Sequence, residues 1–280
     1  MILDGKIVAA DIKQRLKEEI NERLDTIGRR PKLVIISIGD DSASKVYVRN
    51  KMKAAEEVGI EVEHLPYEED VGTFYVREVI QYRNLDSKVD GIMVQLPLPE
   101  GYNEREIIDT IFPWKDVDGL TTTNIGRLRS GQDCLKPCTA AGIIDLCKYY
   151  DIELDSKDVT IIGRSNIVGK PLADLMMAEG ATVTQCHSHT RHLADYTRYA
   201  DIVISAVGKP KFLDETYFGL DHTIIDVGIN RDEDGKLCGD VDFDAVKTHC
   251  DNITPVPGGV GPMTVAELMK NVVEAWRKNI

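Results

Sequence analysis

The stretch "DVTIIGRSNIVGKP", residues 158–171, decides the fold. A β-branched run ends at Gly163 and a helical pattern opens near Gly169, so a strand turns directly into a helix. Glycine at such a turn lets the backbone approach a phosphate closely, and the helix N-terminus faces the negative charge. Two phosphate loops compete for this pattern and neither fits fully. A P-loop needs G-x-x-x-x-G-K-[ST], but five residues separate Gly163 from Gly169, and Lys170 is followed by Pro171, which has no hydroxyl for magnesium. ATP hydrolysis is therefore disfavoured. The dinucleotide fingerprint G-x-G-x-x-G has Ser165 in place of its second glycine.

The end of the next strand sharpens the reading. A free ribose 2′-hydroxyl is usually met by Asp or Glu about 20 residues on, whereas "CHSHTRH", residues 186–192, contains no acid. Arg164, Ser188 and Arg191 suit a 2′-phosphate instead, so NADP is expected over NAD. A plain helix start beside a polar loop would produce the same letters. The histidines His187, His189 and His192 invite a zinc reading. A metal site, however, needs three or four converging ligands, and no Cys or carboxylate follows at ligand spacing. Solvated or phosphate-facing histidines are expected, with no metal.

Outward from this turn, short apolar runs alternate with helical patterns, which implies α/β architecture with largely parallel sheets. The second half continues through "ATVTQC" (181–186), "ADIVISAVG" (200–208) and "HTIIDVGIN" (222–230), the rhythm of a Rossmann-type fold. The first half supplies "LVIISIG" (33–39), a helix from about Ser44 to Val58 stopped by Gly59, then "IEVEHL" (60–65) and "DGIMVQLPLP" (90–99). Weak periodicity over 119–142 marks the junction. The C-terminal segment reads as a helix capped by Thr264 with Glu267, its long apolar face returning to the first domain. The expected organisation is two α/β domains flanking a cleft: 1–120 with 262–280, and 140–261, joined by 121–139.

Composition narrows the partners. The 280 residues are 42% hydrophobic, enough for a sizeable core, and 47 acids against 34 bases give a net charge of −13. That balance opposes a nucleic-acid footprint. Six cysteines without C-x-x-C spacing imply a reducing, cytoplasmic setting. The N-terminus turns early into a charged amphipathic helix rather than a signal or transit peptide, and no run approaches the ~18 apolar residues of a membrane span.

"YVRNK", residues 47–51, stacks Tyr47 and Lys51 on one helical face. The same spacing serves short-chain dehydrogenases, but there the glycine turn precedes the pair, and here it follows by over a hundred residues. An isolated surface lysine is a poor base at neutral pH, since its amine titrates near ~10.4. A catalytic reading of Lys51 needs a partner. Gln95 in "VQLPLP" ends a buried-looking strand, where α/β ligands bind, and "KDVDG" adds Asp116 and Asp118.

Together "YVRNK", "VQLPLP", "KDVDG", "KPCT", "GRSNIVGKP", "DVGIN" and "TPVPGGVGPMT" closely resemble, in order and over nearly the whole chain, the bifunctional methylenetetrahydrofolate dehydrogenase/cyclohydrolase family. The resemblance implies NADP-dependent oxidation of 5,10-methylenetetrahydrofolate to the methenyl form and hydrolysis of that cation to 10-formyltetrahydrofolate. It assigns Lys51 as the amine of the hydrolytic step, Tyr47 as the ring stacking on folate, Gln95 as the partner of Lys51, and Asp118 as the pterin ligand. Gly163, Arg164 and Ser165 would hold cofactor phosphates, and Ile229 would contact the cofactor. Gly258, Gly259 and Pro262 would shape the nicotinamide and folate cleft. A cytoplasmic homodimer feeding one-carbon units to purine biosynthesis is implied, without membrane or nucleic-acid partners. Ala140 stands where the family usually has Pro, and His189 where Lys is common beside the 2′-phosphate, which ties cofactor preference to an imidazole. No segment is left for the formate-activating ligase domain of some members. A dehydrogenase-only enzyme or an NADP sensor are the alternatives, and the presence of both Lys51 and Gln95 argues against each.

Overall fold

The computed structural model describes residues 1–279. In chain order the elements are α1 (Gly5–Ile27), β1 (Lys32–Ile38), α2 (Ser42–Val58), β2 (Glu61–Tyr67), α3 (Thr73–Leu85), β3 (Gly91–Val94), α4 (Glu104–Ile108), α5 (Thr122–Arg129) and α6 (Cys138–Tyr149). They continue as β4 (Asp158–Ile162), α7 (Gly169–Ala178), β5 (Thr182–Cys186), α8 (Leu193–Thr197), β6 (Ile202–Ser205), β7 (Thr223–Asp226), β8 (Asn230–Arg231), β9 (Leu237–Cys238), α9 (Phe243–Val246), β10 (Asn252–Ile253) and α10 (Val260–Lys278). Two compact units form. One holds Ala10–Cys138 and the segment from Val265 onward; the other holds Met1–Ala9 and Thr139–Thr264.

The first unit is built on a parallel sheet of order β2-β1-β3. Its core joins Val34, Ile36 and Ile38 of β1 to Val76 and Ile80 of α3 and to Ile92 and Val94 of β3, all buried. Fully burying each such side chain contributes ~1.5–3 kcal/mol before conformational entropy is set against it. Helix α2 starts two residues earlier than expected, because the Asp41 carboxylate accepts the Ser44 N–H at 2.7 Å. It ends at Gly59 in the left-handed conformation, φ 94°. Val48, Ala55 and Val58 are buried beneath it, which leaves Tyr47 and Lys51 along its flank.

Three expectations about boundaries change. Segment 121–139 is not a bare connection, since α5 forms within it: Thr121 Oγ1 accepts the Asn124 N–H at 3.3 Å, and Asn124 is anchored on Asp116. Residues 1–9 belong with the second unit, because Leu3 N–H donates to Ile253 O and Gly5 N–H to Gly258 O, each at 2.9 Å. Thr264 is not a helix cap. Helix α10 begins at Val260, and the Thr264 hydroxyl lies within 3.4 Å of Val260 O and 3.1 Å of Thr139 Oγ1. Polar spacing alone mimicked a capping box there.

The second unit is a five-stranded parallel sheet of order β10-β7-β6-β4-β5. Counted from β4, this is the 2-1-3-4-5 order of doubly wound folds, whose direction of winding reverses between β4 and β6. Ligands of such sheets bind outside the carboxyl ends at that reversal. Ile162, Val203, Leu213, Phe218, Ile224, Val241 and Ile253 fill the core behind it. Among the described residues no helix is long and apolar enough to cross a membrane.

Candidate active site

In the first unit, Lys51 Nζ donates to Gln95 Oε1 at 3.1 Å. The orientation of Gln95 is fixed from behind: its Nε2 donates to Leu96 O at 2.6 Å and its backbone N–H to Ile36 O at 2.8 Å. Only the amide oxygen is left to face the amine. Gln95 is 7% exposed and Lys51 half-buried. Tyr47, one turn before Lys51, is 38% exposed, and burial of the remainder raises its phenol pKa above the ordinary value. Its ring therefore stays neutral and accessible, as a stacking surface requires.

Of the two acids in "KDVDG", the structure separates the roles. Asp116 is buried and accepts Leu120 N–H, Thr121 N–H and Asn124 Nδ2–H at 3.2, 2.8 and 2.9 Å, which makes it the anchor of the turn into α5. Asp118, two residues on, is half-buried. It is close enough to Cys138 that its charge, after burial, helps push that thiol well above the usual range. Lys51 acts on the same thiol in the opposite direction, which places Lys51, Asp118 and Cys138 in one neighbourhood. A residue missed in the sequence holds this turn: Asn271 of α10 donates through Nδ2 to Val117 O and Lys136 O, each at 2.8 Å. Nothing in the letters around Asn271 pointed there.

The second set lies in the second unit, at the carboxyl ends of β4 and β5. Gly163 N–H donates to Cys186 O at 2.9 Å and Gln185 Nε2 to Gly163 O at 3.0 Å, so the loop carrying Arg164 and Ser165 runs beside that carrying Ser188 and Arg191. All four side chains are exposed. Gly163 adopts φ +137°, and a Cβ there would lie 2.5 Å from Ala206 O at the end of β6. It therefore sits on the winding reversal itself. A Cβ on Gly169 would lie 2.3 Å from Gly163 O, so the second glycine of the motif lets the helix start pack on the turn. Ser165, the departure from the usual fingerprint, closes the turn by accepting Val168 N–H at 3.1 Å. His187 and His189 are linked to each other: the His189 N–H donates to His187 Nδ1 at 3.1 Å.

Ile229, Gly258, Gly259 and Pro262 also fall in this unit. Ile229 is 48% exposed after β7. Gly258 and Gly259 are buried against the N-terminal segment, where a Cβ on Gly5 would meet Gly259 O at 1.9 Å, and Pro262 is half-buried. Between these loops lies Asp226, 3% exposed, whose carboxyl burial pushes up to about 6 against the opposing N–H groups of Val241, Asp240 and Gly228. The unfolded carboxyl titrates near ~3.9, so between about pH 4 and pH 6 the native state binds the extra proton. Stability from this group is fully present below that window, falls as pH rises through it, and is constant above. The difference in Tm between wild type and Asp226→Asn should therefore shrink as pH rises from 4.5 to 7; a pH-independent difference would contradict this assignment.

Comparisons with known proteins give the family. The model of the tetrahydrofolate dehydrogenase/cyclohydrolase catalytic domain matches residues 3–118, and that of the family's NAD(P)-binding domain matches residues 137–280. The bifunctional protein FolD of Agathobacter rectalis is 50% identical over 99% of both chains. The crystal structure of the bifunctional methylenetetrahydrofolate dehydrogenase/cyclohydrolase of Campylobacter jejuni is 43% identical, with TM-score 0.98 over 100% of this chain and 99% of that one. The Trypanosoma brucei methylenetetrahydrofolate dehydrogenase-cyclohydrolase, solved with NADP and an inhibitor, is 36% identical with TM-score 0.95 over 99% and 97%. With models of both family domains matched and a relative 50% identical over nearly the whole chain, the chain belongs to the tetrahydrofolate dehydrogenase/cyclohydrolase family.

Proposed function

We infer that the chain oxidises 5,10-methylenetetrahydrofolate to the 5,10-methenyl form with NADP and hydrolyses that product to 10-formyltetrahydrofolate. The Lys51–Gln95 contact at 3.1 Å carries the inference, because oxidation alone needs no such pair. Tyr47 offers the ring on which the folate lies, and Asp118 binds the pterin edge. Lys51, held by Gln95, handles the proton as water attacks the methenyl carbon and the bond from that carbon to the ring nitrogen N5 breaks. The water oxygen becomes the formyl oxygen; of the two water protons one passes to N5 and the other is released to solvent, carrying off the positive charge of the methenyl cation.

The second unit fits a dinucleotide: the Gly163 turn lies at the winding reversal, and Arg164, Ser188 and Arg191 stand exposed on the adjoining loops with no acid among them. When bound, NADP supplies the hydride acceptor. The chain has only to hold and orient it, with Gly163, Arg164 and Ser165 at the phosphates and Ile229, Gly258, Gly259 and Pro262 shaping the nicotinamide side. Replacing Arg164 and Arg191 together with Ala should lower the NADP-over-NAD ratio of kcat/KM by about 10- to 100-fold, the worth of charge-assisted bonds to a phosphate. An unchanged ratio would remove both arginines from the 2′-phosphate.

Absorbance tests the function directly. Methylenetetrahydrofolate with NADP should yield NADPH, transient methenyl-folate and then 10-formyltetrahydrofolate. A sensor would yield none, and a dehydrogenase-only enzyme would stop at the methenyl form. Free thiols at all six cysteines support a reducing cytoplasm, where the product would serve purine biosynthesis. The protein acts as a homodimer, which sedimentation equilibrium tests.

A further inference from the structure

We propose that Asp240 is a positioning residue for the oxidation step: its buried carboxyl group latches the loop leaving β6 to the turn leaving β7, and so holds one wall of the crevice beside Gly163. This rests on the reading of that crevice as the NADP site.

Asp240 is fully buried and meets four donors from two separate loops. Its Oδ2 accepts the Ser205 hydroxyl at 3.0 Å and Val207 N–H at 2.6 Å; its Oδ1 accepts Lys209 N–H and Asn230 Nδ2–H, each at 2.9 Å. Ser205, Val207 and Lys209 bracket Ala206, whose carbonyl lies against Gly163. Asn230 directly follows the exposed Ile229. One side chain thus sets the relative placement of the β6 exit, which faces the phosphate turn, and of Ile229.

The surrounding sequence is shaped to admit it. A Cβ on Gly228 would lie 2.3 Å from Asp240 Oδ1, and one on Gly239 would lie 1.8 Å from Asp226 Oδ2. The glycines of "DVGIN" and "CGD" are therefore required by two carboxyl groups pressed against backbone. Asp226 in turn accepts the Asp240 N–H at 3.0 Å and Val241 N–H at 2.8 Å, which fixes the segment bearing the latch. Asparagine at 240 keeps the shape but has one acceptor oxygen for four donors, and sets its NH2 against two of them. The loops must then part.

Because hydrolysis of methenyl-folate supplied directly needs no NADP, the protein carries its own control. In full-length Asp240→Asn, KM and Kd for NADP should rise at least 10-fold, while NADP-free hydrolysis of methenyl-folate stays within twofold of wild type. Parallel loss of both activities would make Asp240 a folding residue only and overturn the proposal, as would unchanged NADP affinity. Asn230→Ala guards against a variant that does not fold, since Asn230 is half-exposed and the change removes one donor. It should raise Kd for NADP about threefold with hydrolysis intact. NADP affinity unaltered in Asn230→Ala would refute the latch whatever Asp240→Asn does. Wild type that binds no NADP by calorimetry would instead refute the underlying reading of the crevice, and the proposal with it.

Discussion

Lys51→Met is expected to make methenyl-folate at near wild-type rate and to lose its hydrolysis by 10²- to 10⁴-fold, the usual contribution of a positioned proton-transfer group. That loss corresponds to about 3–5 kcal/mol of barrier. Methionine matches the lysine stem in length, so the packing of α2 beside Gln95 is retained while the amine is removed. The Gln95 amide cannot turn to compensate, because its Nε2 is held by Leu96 O at 2.6 Å. The measurement is stopped-flow absorbance of the methenyl form, with oxidation and hydrolysis followed separately at saturating NADP. Methenyl-folate that accumulates and persists establishes two chemistries with different residue requirements. Hydrolysis surviving at wild-type rate would make the 3.1 Å contact scaffolding and leave the proton to another group.

Gly163→Ala should have the converse effect. A methyl group 2.5 Å from Ala206 O cannot be accommodated without moving the end of β4 or β6, and φ +137° is itself strained by roughly 1–3 kcal/mol for a residue with a Cβ. Either movement disturbs the Ala206 N–H bond to Ile162 O at 2.8 Å, which joins the strands at the winding reversal. Oxidation should fall at least 100-fold in kcat/KM for NADP, with a lowered Tm, while hydrolysis of added methenyl-folate persists because Lys51 and Gln95 lie in the other unit. A variant that oxidises normally would show that the cofactor phosphates lie elsewhere.

Much of this was legible from local pattern. The alternation of apolar runs with helical segments implied parallel α/β architecture, and the order of motifs carried the family. Gly59 as a helix stop follows from propensity, and Tyr47 with Lys51 on one face follows from helical geometry, both properties of neighbours along the chain. Even the pairing of Lys51 with Gln95 was reachable, because a lysine base needs a partner and strand ends collect ligands.

Where chain neighbours were not spatial neighbours, the letters misled or were silent. Thr264 and Glu267 spelled a cap, yet the helix starts at Val260 and the Thr264 hydroxyl meets Thr139, 125 residues away. Residues 1–9 pair with Ile253 and Gly258, a choice no local propensity records. Residue type and spacing did not separate Asp116 from Asp118, which only the family resemblance singled out; burial made the first an anchor and left the second half-open. The glycines at 163 and 169 looked like an imperfect phosphate motif, but the reason for their spacing is that each must approach another backbone more closely than a Cβ allows. The sequence by itself determined the class of fold and the family, since these depend on residue type and on spacings of a few residues. Strand order, the latch at Asp240 and the hold of Asn271 on the Asp118 turn were decided only in three dimensions, because hydrogen bonds and steric exclusion act between atoms that folding alone brings together.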